Sequence, residues 1–220
     1  MLRALTSLVL LGLGTNLEPG TLIVFVTLLG TEQPRANAAA FVSGWLVSLA
    51  AVFGLSFALL HGQPPISGST EELLVQLGEV AVGLLLSGTA VHEWRRRNDP
   101  PESRRPRTHR WLQHIGPRTA FFAAMWEQPW TVTMAAAMVV VRAHLSAPEA
   151  VTAFVVFAVA STVSVGTVWI LFRRDPHRAE QVLRSVETRV RTKGPKVFAG
   201  FAAVASVAFL ADGLSGLLTH

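Results

Sequence analysis

Two carboxylates stand beside prolines where the surrounding chain is most apolar. One lies in Thr15-Asn16-Leu17-Glu18-Pro19-Gly20, the other in Met125-Trp126-Glu127-Gln128-Pro129-Trp130. A charge in hydrocarbon costs several kcal/mol, so an acid kept there is a functional candidate. Withdrawn from water, a carboxylate resists ionisation and can exchange a proton near neutral pH. Proline removes a backbone donor and clashes with the preceding turn, so a helix passing through either motif kinks or breaks. A break frees backbone carbonyls and exposes a half-helix end, where an ion or polar substrate group can bind. Glu18 leads for that chemistry. Its competing reading is a cap on the second half-helix, where the dipole favours an acid. Asn16 either bonds the same substrate or satisfies backbone freed by the break. With Pro19 and Pro129 aligned, Gln128 takes the place of Glu18, and Glu127 falls one residue out of register. Trp126 and Trp130 flank the second motif as cavity-lining aromatics or as interface anchors and packing, the bland reading being favoured for Trp130.

Two further acids, Glu79 and Asp212, fall in apolar segments, one in each half of the chain. Glu79 lies about four turns before Trp94, well into an apolar segment, where a proton relay has use for it. Asp212 lies about two turns from the C-terminus, so an outer-interface position competes with a functional one. His92, His144 and His220 sit near segment ends and read as interfacial. His109 and His114 are too few for a metal site. There is no cysteine, so disulfides, thiol redox chemistry and thiolate-bound metals are excluded. Nucleophile elbow, phosphate-binding glycine loop and cofactor fingerprint are all missing. No cofactor and no metal is expected. With no sizeable nucleotide-binding domain, any active transport should draw on a gradient.

The elements that position these residues are membrane segments. Half of the 220 residues are hydrophobic and the mean hydropathy is +0.42, too apolar for an ordinary soluble domain. A span needs about 20 apolar residues, and six candidates appear, at 2–29, 36–60, 73–94, 118–141, 150–172 and 196–218. The first and fourth are broken at Pro19 and Pro129. Prolines at Pro34, Pro64, Pro65, Pro100, Pro101, Pro148 and Pro195 punctuate the connections, and helices are expected to stop there. The start, Arg3 before an apolar run, is not followed by a clean cleavage site and reads as the first span. The spacing Ala50, Gly54, Ala58, and Gly44 with Ser48, lets helices approach closely. Internal packing is the favoured reading, with a dimer face as the other.

Orientation follows from Lys and Arg, which stay cytoplasmic in short loops. The third connection, with Arg118 at its edge, holds eight of the nineteen basic residues, and the fifth, through Lys196, holds eight more. That places both connections inside and both termini outside. An odd number of spans before the basic loop makes the halves, 1–94 and 118–220, run in opposite senses as an inverted repeat. Residues 95–117 are then a basic cytoplasmic linker, attracted to anionic headgroups. Clustered between apolar segments, the basic charge favours membrane surface over nucleic acid.

These motifs resemble the GAP or Sap group, bacterial membrane proteins named for addressing peptidoglycolipid and sulfolipid to the cell surface, within the lysine exporter (LysE) superfamily. The likeness runs through Asn16-Leu17-Glu18-Pro19, Phe41-Val42-Ser43-Gly44-Trp45 and Gly83-Leu84-Leu85-Leu86 with Trp94-Arg95-Arg96-Arg97. It continues through Trp111, Gln128-Pro129 and the helix from Val151 to Leu171 with Phe157, Ala160, Ser161 and Thr162. The family tends to Asn-Pro at both breaks, where this chain has Glu-Pro and Gln-Pro. The resemblance implies export of an envelope lipid or of a small molecule.

The expectation is therefore an all-α protein of the bacterial plasma membrane, six spans in two inverted three-helix repeats. It would export or flip an envelope lipid or amphiphilic small molecule, by proton coupling, through Glu18 and Glu127. Rivals are an amino-acid or cation exporter of the same fold, a membrane acyltransferase with Glu18 or Glu127 as general base, and an accessory subunit of a larger export complex.

Overall fold

Proline at the first position of a helix replaces an amide that would have had no helical partner. Pro19, Pro34, Pro117 and Pro176 each open a helix in this way. The computed structural model describes residues 1–59, 70–96, 115–143 and 145–218. All regular structure among them is α-helix: α1 (Leu2–Thr15), α2 (Pro19–Leu29), α3 (Pro34–Leu59), α4 (Thr70–Arg96), α5 (Pro117–Glu127), α6 (Trp130–Arg142), α7 (Ala147–Arg174) and α8 (Pro176–Leu218). The linker with its arginines beyond Arg96, Trp111, His109 and His114 lies outside the described residues, as do 60–69, His144 and His220.

Among the described residues, four helices contain stretches long and apolar enough to cross a membrane: Pro34–Ala58, Leu73–Arg95, Ala147–Arg174 and Lys193–Leu218. The bent pair of α1 and α2, meeting at 57°, makes a fifth if it is one span, and Trp130–Arg142 is a shorter apolar helix. The burial pattern is that of a membrane protein. Large apolar side chains such as Leu55, Val159 and Val204 face outward, while Ala120, Ala124, Ala135, Ala136 and Ala137 fill the inside. Lipid tails are as apolar as leucine, so such bundles close by bringing small residues together. In water the same surface would be a large exposed patch.

Three pairings organise the bundle: α4 against α8, α3 against α5 and α6, and α1 against α7. Gly44 permits the second, since a Cβ there would lie 2.2 Å from the Phe121 carbonyl oxygen. Phe25, Phe41 and Trp45 meet in series at the centre, the first pair tilted and the second stacked, with ring centroids 5.4 and 6.5 Å apart. At the start of α7 the Glu149 carboxylate accepts from the Ser146 amide at 2.9 Å and its hydroxyl at 2.7 Å, one arm of a capping box.

Two expectations are corrected. Pro195 does not end a helix: α8 runs through it for 43 residues, from Pro176. Proline removes one hydrogen bond, and packing on both sides decides whether the chain stops. Here Gly194, Phe198 and Ala199 are all packed inside. The small-residue stripe divides as well. Gly44 and Ser48 pack internally, but Ala50, Gly54 and Ala58 are exposed, with open space at Gly54.

Candidate functional site

The first break is built by tightening and release. The amides of Asn16, Leu17 and Glu18 donate three residues back, to Leu13, Gly14 and Thr15 at 3.1, 3.0 and 3.3 Å. This is the 3₁₀ tightening common at a helix end. Glu18 is extended (φ −69°, ψ 119°) and occupies the N-cap of α2, but its side chain makes no capping bond to that helix. Its carboxylate Oε2 instead accepts the Thr21 hydroxyl at 3.4 Å. The same hydroxyl lies 3.3 Å from the Glu127 carbonyl oxygen. Thr21 thus ties the first break to the second.

Glu127 completes the meeting. A Cβ on Gly20 would lie 2.7 Å from Glu127 Oε2. Glycine at this point lets the acid come against the first turn of α2, where the helix dipole is positive and favours an anion. Gln128 follows in extended conformation and is 4% exposed. Its Nε2 donates to the Thr133 hydroxyl at 2.8 Å, whereas its Oε1 is buried without a hydrogen-bond partner among the described residues. A buried acceptor left unpaired is costly and is an atom that a ligand's donor would satisfy.

The two breaks line a cleft of about 620 Å³ with Glu18, Glu127, Gln128, Pro129, Trp126 and Trp130. The end of α4 adds Thr89, His92 and Glu93, and α8 adds Phe198. Trp126 is 80% exposed, and its ring meets that of Trp130 edge-on at 6.4 Å. The Trp130 indole N–H donates to the Met125 carbonyl at 2.9 Å, so this ring is held in place. The volume falls in the usual range for small-molecule sites, about 300–1,000 Å³.

Other candidates stand elsewhere. Pro19 shapes the break from the first position of α2. The Asn16 amide is engaged with backbone: Nδ2 donates to Gly12 and Ala160 carbonyls at 2.9 and 2.8 Å, and Oδ1 accepts the Ser164 N–H at 3.0 Å. It bridges one turn of α7, which supports its backbone-satisfying reading. Glu79 and Asp212 are brought together, not at the cleft but through Arg142. His92, read as interfacial, joins the cleft lining, and Glu93, Thr21 and Thr133 were not anticipated. Thr21 and Thr131 both follow their proline by two positions, a signal the aligned halves contain. Glu93 had none, standing beside Arg95 and Arg96 like ordinary interface charge.

Apolar outward faces, membrane-length helices and a cleft between two broken segments define a multi-pass helical membrane protein. Within that class the chain belongs to the Sap, sulfolipid-1-addressing protein family, whose model matches residues 8–215. No curated protein and no solved structure matches it.

Proposed function

We propose that the protein exports or flips an envelope lipid, or an amphiphilic small molecule, across the bacterial plasma membrane, and that Glu18 and Glu127 couple this to protons. The observation that carries the reading is the meeting of two distant helix breaks in one cleft, joined by Thr21 and Gly20. The family's name supports a lipid cargo. The cleft fits a headgroup, with Trp126 and Phe198 offering apolar surface. Its acids, Glu18, Glu93 and Glu127, favour a second reading, export of a cationic small molecule. Purified protein in liposomes separates them. We expect translocation of a fluorescent envelope glycolipid driven by a proton gradient, with no efflux of lysine or arginine. Amino-acid efflux without lipid movement would exchange the two readings, and an inert protein would remove both.

The inverted repeat is part of the proposal. A two-fold axis exchanging the halves pairs the first segment with the fifth as it pairs the fourth with the second, and sets the third on the sixth. Contacts of α1 with α7, of α5 and α6 with α3, and of α4 with α8 follow that pattern. The two halves would then rock about the breaks. Single cysteines are readily placed in a chain that has none. Ser103→Cys and Ser185→Cys should label from inside and Ser67→Cys from outside, because sixteen basic residues occupy the third and fifth connections. Positions 67 and 103 on one face would sink the six-span arrangement.

A further inference from the structure

Arg142 is the sole basic residue between Arg118 and Arg173. It ends α6, and its Nη1 lies 3.2 Å from Glu79 Oε1 on α4 and is ion-paired with Asp212 Oδ2 on α8. The Glu79 side chain is 5% exposed, while those of Arg142 and Asp212 are half exposed. One guanidinium therefore ties together three helices drawn from both halves of the chain.

Each of those helices also carries a residue that lines the cleft, three to four turns away. On α4 the pair is Glu79 and His92, on α6 Arg142 and Trp130, on α8 Asp212 and Phe198. The separations of twelve to fourteen positions correspond to about 18–21 Å of helix. That is roughly two thirds of a hydrocarbon core of about 30 Å. Between the two levels the helices are closed. Leu86, Ala135, Met138 and Ala202 are buried there. The Ser87 and Ser206 hydroxyls are 2.6 Å apart, and Ser206 also donates to the Gly83 carbonyl at 2.9 Å. Packing of this kind is what would close the cleft from the face on which the ion cluster stands.

We propose that Arg142, Glu79 and Asp212 form the latch of a gate on the face opposite the Arg-rich connection. The structure is then the cleft-open, latch-closed state of the cycle, an assignment that rests on the transport reading above. A buried acid such as Glu79 is held firmly while its partner stays, and is strongly destabilised when the partner is removed. The half-exposed Arg142 and Asp212 are the groups that water or cargo can reach to separate the cluster. Glu79 and Asp212 thereby serve as gate residues on Arg142, away from the cargo.

Met138→Cys supplies the reporter, one turn inward from Arg142 on the same side of α6 and 2% exposed. It is labelled with a membrane-impermeant maleimide in right-side-out and inverted vesicles. Met138→Cys alone should be protected on both faces. Adding Arg142→Gln should raise labelling on the latch face at least about tenfold. The exchange Arg142→Asp with Asp212→Arg should bring it back towards the parent. Asp212→Asn, at a half-exposed position, should give a smaller rise on the same face. Continued protection in monodisperse Arg142→Gln and Asp212→Asn proteins overturns the latch. The labelling needs no cargo, so an inert wild-type protein in liposomes would cancel the transport reading separately.

Discussion

Glu18→Gln should abolish gradient-driven transport in proteoliposomes while leaving the protein folded and inserted. Glutamine keeps the shape at the N-cap of α2, and its side-chain oxygen can still accept the Thr21 hydroxyl that now reaches Glu18 at 3.4 Å. What disappears is the titrating group and the charge. Loss of a charged hydrogen-bond partner costs about 1.5–3 kcal/mol, so residual exchange should fall between about tenfold and a hundredfold. The pH dependence of that residue should flatten, because a group that loads a proton on one side and releases it on the other has gone. Cargo binding, measured at equilibrium in detergent, should persist. Glu127→Gln should behave similarly, since its carboxylate shares the first turn of α2 with the same cleft. Glu79→Gln should differ: Glu79 lies with Arg142 outside the cleft, so its loss should alter access more than coupling. An unchanged rate and pH profile in Glu18→Gln would leave that carboxylate a structural cap.

The parts legible in the sequence were those with a covalent cause. A proline cannot donate, so both breaks could be placed from Pro19 and Pro129 alone, and the structure parts α1 from α2 and α5 from α6 at those points. The second, third, fifth and sixth membrane segments were legible because hydropathy is a sum over many residues, whereas the broken fourth yields only the shorter apolar helix Trp130–Arg142. The third and fifth still extend beyond their expected ends, to Thr70–Arg96 and Ala147–Arg174. Pro195 shows the limit of the same rule. Whether proline stops or merely bends a helix depends on neighbours such as Phe198, whose burial is a tertiary fact. Arg142 shows another. In sequence it is a lone cation in a short connection, and nothing local links it to an acid 63 positions earlier. Asn16 reaches Ala160 and Ser164 across the bundle, so its two readings could be weighed only with the helices in place. Glu18 and Glu127 were candidates from position alone. The contact through Thr21 depends on how α2 lies against the second break, which the spacing of 110 residues between prolines does not specify.

Replacing both prolines with alanine should reverse the usual relation between stability and function. Proline is tolerated where it stands, at a helix start, but in the interior of an uninterrupted helix it would cost about 3 kcal/mol or more, and alanine is the best helix former. Pro19→Ala with Pro129→Ala should therefore let each broken segment straighten, with expression and thermal stability equal to or above the parent. Straightening at 19 reduces the 57° bend between α1 and α2. That draws Thr21 and Gly20 away from Glu127 and divides the cleft. Straightening at 129 returns Gln128 to helical backbone and withdraws its unpaired Oε1 from the cavity wall. Transport in liposomes should fall with each single variant and be lost in the double. Full activity in a well-folded double variant would show that the breaks do not make the site. Loss of the protein itself from the membrane would assign the prolines to folding. The expected result, a sound protein that no longer moves its cargo, is the one that follows if the chain keeps two interrupted helices for the cleft they create, because uninterrupted ones would be easier to insert and to pack.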